Sequence, residues 1–447
     1  MTDGAKSNPS CAVPGKPAGA YRVLHTADWH LGKLLGEHSR EEEHARFLSF
    51  LLEAVCGLSV DVLVVAGDVF DSANPPQSAV AQYFGFVSRL YRQGGCELVV
   101  VAGNHDSPAQ LEAPREVLRQ LGAHVVGVLP QEQDRERAMI VLPSAERARL
   151  VIAAVPFLRD RDLRVGQPGQ DARTIEMELK RGIAGRYEEM AGLAQRWVTA
   201  GVPCLATWHL TVAGGTTSDS EREIHVGGLG AVGADCFPPS FAYVALGHLH
   251  RPQQVGGRAE VRYAGSPIPL SFGEARDLKE VRILDFVGAA LVWQGALPVP
   301  PSRRLVQLQT EAAVVEGALA ALGAGARDGN ELTPWVEVVV ENIPLGEDIV
   351  GRIGELSRGK NYEVVRILPK PRSREPFFVE GGEDPTAAEG LLASPSRVFQ
   401  RRLELEPGLS AEDREGLETL FKELRDLHAE AERESVTPEP AVGGGAA

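Results

Sequence analysis

Short apolar runs alternate with amphipathic stretches over the first quarter of the chain. Residues 22–26, 61–66 and 97–102 form apolar runs, and the last two end in glycine, which is typical of buried strands. Between them, apolar residues recur at helical spacing around 47–55 and over 77–93. This order of strand, helix, strand, helix and strand predicts a mostly parallel sheet with right-handed crossovers.

Further apolar runs predict that the sheet continues to about Phe286. The runs at 150–155, 202–207 and 241–246 resemble strands, and a long helical pattern covers 175–197. A Pro-rich segment at 296–302 then indicates a domain boundary. After it, residues 304–371 alternate strand, helix, strand, helix and strand, so we expect a small α+β unit there.

Six segments follow from these patterns and from composition. We predict a disordered tail at 1–20, a catalytic domain at 21–295, a small domain at 303–372, a linker at 373–392, terminal helices at 393–434 and a second disordered tail at 435–447. The first twenty residues are rich in Gly, Pro, Ala and Ser and lack the apolar run of a signal peptide. No stretch of eighteen or more apolar residues is present, so we expect a cytoplasmic protein.

Charge and cysteine usage narrow the possibilities only slightly. The net charge of −15 argues against a protein that coats DNA by bulk charge. It does not exclude a nuclease, because bound divalent cations supply positive charge locally. The 5 cysteines are scattered and form no C-x-x-C pair, which argues against disulfides and structural zinc and agrees with a reducing compartment.

The residues that suggest chemistry follow the predicted strands, where parallel sheets place their sites. They form five short motifs, which are Asp28-x-His30, Gly67-Asp68-x-x-Asp71, Gly103-Asn104-His105-Asp106, His209 and Gly247-His248-x-His250. Carboxylate, amide and imidazole groups without sulfur suit Mn²⁺, Fe²⁺ or Zn²⁺ in an open site. The ligands are too many for one ion that keeps an open position, so two ions sharing a carboxylate fit better.

Each motif has a simpler explanation when taken alone. An Asp or His after a strand often caps the next turn, and Asp71 has this alternative too. Two histidines such as His248 and His250 also occur as ordinary polar loop residues. Gly-Asn-His-Asp is the strongest motif, because three adjacent polar residues after a buried strand have little structural use. The joint occurrence of all five in one α/β domain favours the metal site.

The motif set resembles the calcineurin-like metallophosphoesterase superfamily. Longer segments at 25–33, 64–76, 100–108, 244–253 and 263–274 are similar to the family of nuclease subunits from bacterial SbcCD DNA repair complexes. The resemblance extends from about Arg22 to Phe286 and continues more loosely to the C-terminal helices. It implies an α/β sandwich of layered sheets flanked by helices, with residues 303–372 as a small α+β capping domain.

The resemblance also implies a role for each motif residue. Two divalent ions per chain are expected, with Mn²⁺ preferred. One ion is held by Asp28, His30, Asp68 and His250, and the other by Asp68, Asn104, His209 and His248. His105 is expected to stabilise the transition state or to protonate the leaving oxygen, while Asp106 holds its ring.

The terminal helices are expected to bind a partner. Residues 394–403 are similar to the segment that docks on an SbcC-type ATPase, and a later apolar stripe follows a Ser410–Asp413 capping box. The apolar side chains are Val398, Phe399, Leu403, Leu417, Leu420, Phe421, Leu424 and Leu427. Two helices this short cannot bury both apolar faces on each other, so they need another surface. The alternative is that they pack back on the catalytic domain.

The function predicted from the sequence is metal-dependent DNA cleavage. The family implies double-strand exonuclease and single-strand or hairpin endonuclease activity with the ATPase in DNA repair, recombination and replication, as a homodimer within a heterotetramer. A small-molecule or nucleotide phosphodiesterase is the alternative enzyme, and a phosphoesterase-like scaffold without activity is the third possibility. The capping domain and docking helices favour the nuclease, and the intact ligand set argues against a scaffold.

Overall fold

A computed structural model describes most of the chain, and the fold is taken from it. The described residues are 13–166, 169–218, 220–221, 231–322, 331–344, 346–370, 396, 399–400, 403 and 410–435. The chain divides into two compact units, Met1–Ser373 and Arg374–Ala447. The predicted linker at 373–392 and the residues after 435 lie outside the described part.

The first unit contains seventeen strands among its described residues. They are β1 (Tyr21–Thr26), β2 (Leu34–Leu35), β3 (His38–Ser39), β4 (Val62–Ala66), β5 (Glu97–Val101), β6 (Ala123–Val126), β7 (Met139–Leu142), β8 (Leu150–Ala153), β9 (Cys204–His209), β10 (Phe241–Gly247), β11 (Gln253–Gln254), β12 (Val261–Tyr263), β13 (Glu280–Val287), β14 (Ala290–Pro298), β15 (Arg303–Glu311), β16 (Leu332–Glu341) and β17 (Glu363–Pro369). Its helices are α1 (Glu41–Gly57), α2 (Gln77–Gln93), α3 (Pro108–Glu112), α4 (Arg115–Gln120), α5 (Asp160–Leu163), α6 (Ala172–Thr199), α7 (Val315–Leu322) and α8 (Ile349–Ser357).

Two six-stranded sheets form the catalytic part. Their strand orders are β14-β13-β1-β4-β5-β6 and β11-β12-β10-β9-β8-β7. Apolar side chains of both sheets, among them Val64, Val99, Leu205 and Ala245, share one core cluster, so the sheets pack face to face. The layered α/β sandwich is therefore confirmed. The expectation of one sheet continuing to Phe286 is wrong, because β8, β9 and β10 pair with one another and only β13 returns to β1.

Helices cover the outer faces of the two sheets. Leu63 and Val65 of β4 pack against α1 and α2 in one cluster, while Val62 and Val64 face the second sheet. This burial on both faces explains why β4 is apolar at every position. The long helix α6 covers the second sheet, where Tyr187 and Trp208 meet edge to face.

The residues that precede β1 differ from the predicted disordered tail. Lys16 Nζ donates a 2.5 Å hydrogen bond to Asp61 Oδ2, and Arg22 Nη2 donates one to the Pro14 carbonyl oxygen at 3.0 Å. Val13 packs against the core beneath α1. Gly and Pro content suggested disorder, but residues 13–20 have specific partners and lie along the domain. Residues 1–12 lie outside the described part.

Residues 303–370 fold as the predicted small α+β unit. Strands β15, β16 and β17 form a parallel three-stranded sheet. Leu319 of α7 and Ile353 of α8 pack on it in a core of their own. A seam joins this unit to the catalytic part, where Leu305 and Trp335 pack with Leu35 and Phe272.

The second unit contains the terminal helix α9 (Ala411–Ser435). The predicted capping box is present, since Asp413 N donates to Ser410 Oγ at 3.1 Å and Ser410 N donates to Asp413 Oδ2 at 3.3 Å. Phe399 stacks on Phe421 with ring centroids 4.0 Å apart. Val398 and the side chain of Leu427 lie outside the described residues. No described helix combines the length and the apolar character needed to cross a bilayer.

Candidate metal centre

The predicted ligands lie where strands of both sheets end. Asp28 and His30 follow β1, Asp68 follows β4, and Asn104 follows β5. From the second sheet, His209 ends β9, while His248 and His250 follow β10. Asp28 Oδ1 accepts a 2.8 Å hydrogen bond from His248 N, and this bond joins the two sheets. The site therefore spans the edge that the two sheets share.

Four of the candidate ligands have an unusual backbone. Asp28, His30, Asp68 and His248 have φ angles of 53°, 46°, 51° and 102°, and the described chain contains only two other non-glycine residues with positive φ. Non-glycine residues avoid this left-handed region, and such strain concentrates at functional sites. Here it turns consecutive loops so that their side chains point to one place.

The glycines of two motifs allow the loops to approach each other. A Cβ atom on Gly67 would collide with the His209 ring, and one on Gly247 would collide with the Ala66 carbonyl oxygen. Gly67 also has a φ of +94°. Any larger residue at either position would push β4 and His209 apart, so the glycines set the spacing of the ligands.

The structure brings the predicted ligands together in overlapping groups. Ligand atoms lie within 4.8 Å of one another in the groups Asp28–His30–His250, Asp28–Asp68–His209 and His30–Asp68–His105. The remaining two predicted ligands border the second group. Asn104 Oδ1 lies 3.0 Å from His209 Nε2, and the His248 ring is centred 5.4 Å from that of His209.

The chemistry of the cluster fits divalent cations. Asp28 Oδ2 and His30 Nε2 are buried without a hydrogen-bond partner, which is costly unless another group satisfies them. Burial raises the pKa of Asp28. Burial acts to lower the pKa of His209, but the charges of Asp68 and Asp28 outweigh it and raise that pKa to about 9. Two buried carboxylates thus require positive charge at this point, and divalent metal ions supply it.

Three of the candidate histidine ligands have their second ring nitrogen held by an acceptor. His30 Nδ1 lies 3.2 Å from Asp71 Oδ1, and His209 Nδ1 lies 2.9 Å from the Ala66 carbonyl oxygen. His250 Nδ1 lies 3.3 Å from Glu274 Oε1. Such partners leave Nε2 for the metal and fix the ring orientation. Asp71 therefore acts on His30, and Glu274 is a residue that the sequence motifs did not identify.

The role expected for Asp106 needs correction. Its carboxylate accepts hydrogen bonds from the backbone N–H groups of Val69, Phe70 and Gly103 at 3.2, 2.9 and 2.8 Å. The Nδ1 atom of His105 instead lies 2.7 Å from the Asp71 carbonyl oxygen. Asp106 thus anchors the loops after β4 and β5, because its side chain lies among their N–H donors.

This two-sheet fold with a carboxylate and imidazole cluster defines a calcineurin-like phosphoesterase, and the family model of that description matches residues 21–144. Three curated relatives, all named as SbcD, the nuclease subunit of SbcCD, narrow the class. The relative from Escherichia coli (strain K12) is 37% identical over 408 residues, which are 90% of this chain and 96% of the relative. Those from Rhodobacter capsulatus and Bacillus subtilis (strain 168) are 42% and 33% identical, covering 64% and 90% of this chain and 71% and 97% of those relatives. The chain belongs to the SbcD nuclease family.

Proposed function

We propose that this chain is a metal-dependent DNA nuclease with double-strand exonuclease and single-strand or hairpin endonuclease activity. The observation that carries the proposal is the convergence of Asp28, Asp68 and His209 with two buried ligand atoms that lack partners. A scaffold without activity would not need strained backbone at four ligand positions. The names of the relatives add nuclease activity to this metal-site chemistry.

In the mechanism we propose, the chain's own residues hold the ions and one proton. Asp28, His30, Asp68 and His250 hold one ion, and Asp68, Asn104, His209 and His248 hold the other. When bound, two divalent ions, Mn²⁺ in our proposal, stabilise the negative charge that develops on the scissile phosphate. His105 Nδ1 is held by the Asp71 carbonyl oxygen, so Nε2 is left to donate a proton or hydrogen bond at the phosphate.

A cleavage assay on the purified chain tests this function. We expect linear double-stranded DNA and hairpin DNA to be cut in the presence of Mn²⁺ and left intact when EDTA removes the metal. Nucleotide phosphodiester substrates should be hydrolysed far more slowly per enzyme molecule. Rapid nucleotide hydrolysis without DNA cleavage would favour the alternative, a nucleotide phosphodiesterase.

We further propose an assembly with an SbcC-type ATPase and DNA, as a homodimer within a cytoplasmic heterotetramer. The apolar side chains of Leu420 and Leu424 on α9 are 53% and 57% exposed, which is unusual for leucine on a surface helix. Phe399 and Phe421 stack on each other in the same unit. These four side chains, together with Leu417, form the proposed ATPase-docking surface.

One predicted docking residue has a different environment. Leu403 is only 5% exposed, whereas Leu420 and Leu424 are more than half exposed. We therefore propose that Leu403 supports the docking segment from its interior and that the leucines of α9 contact the ATPase.

Removing residues from Ser394 onward should separate docking from catalysis. We expect a folded chain that binds metal and keeps its basal nuclease activity, because the ligands all belong to the first unit. Co-purification with the ATPase and ATP-stimulated cleavage should both be lost. If the shortened chain unfolds instead, the helices belong to the catalytic core, and if it still binds the ATPase normally, docking occurs elsewhere.

A point-variant pair makes the same test without deletion. Leu420→Asp together with Leu424→Asp should abolish ATPase binding, since two charges would have to be buried in the interface. Glu418→Ala, on the same helix, is the matched control and should bind the ATPase normally. Pull-down and ATP-stimulated cleavage are the measurements.

A further inference from the structure

A buried ion pair lies beside the candidate ligand His250. The carboxylate of Glu274 is fully buried, and its Oε2 accepts hydrogen bonds from Lys279 Nζ at 2.6 Å and from Leu270 N at 3.1 Å. The same Lys279 Nζ donates to the His250 carbonyl oxygen at 3.0 Å. An isolated buried charge is strongly unfavourable, so the pair has to be kept intact for either member to remain ionised.

The other carboxylate oxygen of Glu274 faces the imidazole ring. Oε1 lies 3.3 Å from His250 Nδ1 and accepts a hydrogen bond from Ser218 Oγ at 3.0 Å. Ser220 Oγ lies 2.5 Å from the same ring nitrogen and also contacts Oε1. A carboxylate can only accept, so this surrounding favours a proton on Nδ1 and leaves Nε2 as the lone-pair donor.

The pair therefore holds His250 at two points. Glu274 contacts the ring through Nδ1, and Lys279 contacts the backbone of the same residue through its carbonyl oxygen. The ring then has neither the free rotation nor the second tautomer of an unrestrained histidine. Outer partners of this kind also raise the basicity of the ligating nitrogen.

We infer that Glu274, braced by Lys279, is the positioning residue that keeps His250 ready to bind metal. The inference rests on the proposed function, since it assumes that His250 is a metal ligand. Glu274 itself touches neither metal nor DNA in this role. It acts only through the orientation and protonation of the His250 ring.

Metal titration of the full chain tests the inference directly. We expect Glu274→Gln to fold and to bind Mn²⁺ with one of its two affinities weakened about 10–100-fold, measured by calorimetry on the metal-free protein. Nuclease activity should fall at limiting Mn²⁺ and recover at saturating Mn²⁺. Glu274→Asp, which restores the charge, should recover part of the lost affinity.

A second buried carboxylate provides the control. Asp285 is also fully buried and forms a bidentate pair with Arg22 through two 2.7 Å hydrogen bonds. Arg22 lies at the start of β1, whereas the metal site follows its end. Asp285→Asn should therefore lower the melting temperature and leave both Mn²⁺ affinities unchanged.

Three results would decide against the inference. Unchanged Mn²⁺ affinities in Glu274→Gln would show that His250 needs no positioning. An equal weakening in Asp285→Asn would show that any loss of a buried carboxylate has this effect. Absence of Mn²⁺ binding by the unaltered chain would overturn the proposed function as well, and it is recognised in the first titration.

Discussion

Asp68→Asn is expected to produce a folded chain with reduced metal content and no detectable nuclease activity at ordinary Mn²⁺ concentrations. Asp68 Oδ2 lies 3.2 Å from His209 Nε2 and 3.5 Å from His30 Nε2, so it lies between the two proposed ion positions. Burial acts to raise the pKa of Asp68, but its pKa falls because the charge and hydrogen bond of His209 outweigh burial. The residue is thus held as a carboxylate, and the neutral amide removes the charge that offsets repulsion between two cations.

Metal content measured by mass spectrometry on the purified variant checks this prediction. Asp71→Asn is a suitable comparison, because Asp71 contacts only the outer nitrogen of His30 among the ligands described above. It should weaken metal binding to a smaller extent and leave measurable cleavage. Retention of two ions per chain by Asp68→Asn would rule out the bridging role.

The sequence pattern predicts the first sheet well and the second sheet poorly. Strands β4 and β5 are apolar at nearly every position, because one face meets helices and the other meets the second sheet. The run at 150–155 has the same character, and periodicity alone says nothing about which strand it pairs with. Its neighbours, β7 and β9, are fixed by pairing across the domain, which is a tertiary property.

The candidate ligands could be predicted because each follows a strand, whereas their supporting partners could not. Glu274 contacts His250 from 24 positions along the chain, and Asp71 contacts His30 from 41 positions away. Adjacency in sequence suggested that Asp106 orients His105. Neighbouring loop residues point in different directions, and the Asp106 carboxylate instead receives N–H groups of two loops.

The second large effect is expected for His105→Ala, which should keep its metal ions and lose about 10²–10⁴ in cleavage rate, the usual contribution of a general acid or base. The substitution removes only the ring, because the hydrogen bond from the backbone N–H of His105 to Asp68 Oδ1, at 2.9 Å, remains available to alanine. The His105 side chain is the most exposed of the histidines in the cluster, at 6%, as expected for a residue that meets the phosphate.

Comparison with a competing arrangement makes the His105→Ala result decisive. His105 also belongs to a group with His30 and Asp68 whose atoms lie within 4.8 Å, so it has the geometry of a possible third ligand. A ligand role predicts lost metal and partial recovery at high Mn²⁺, whereas action on the phosphate predicts full metal content and no recovery. His124→Ala is the control, because His124 pairs with Glu97 beside β5 and should affect neither quantity. Wild-type cleavage by His105→Ala would contradict both roles.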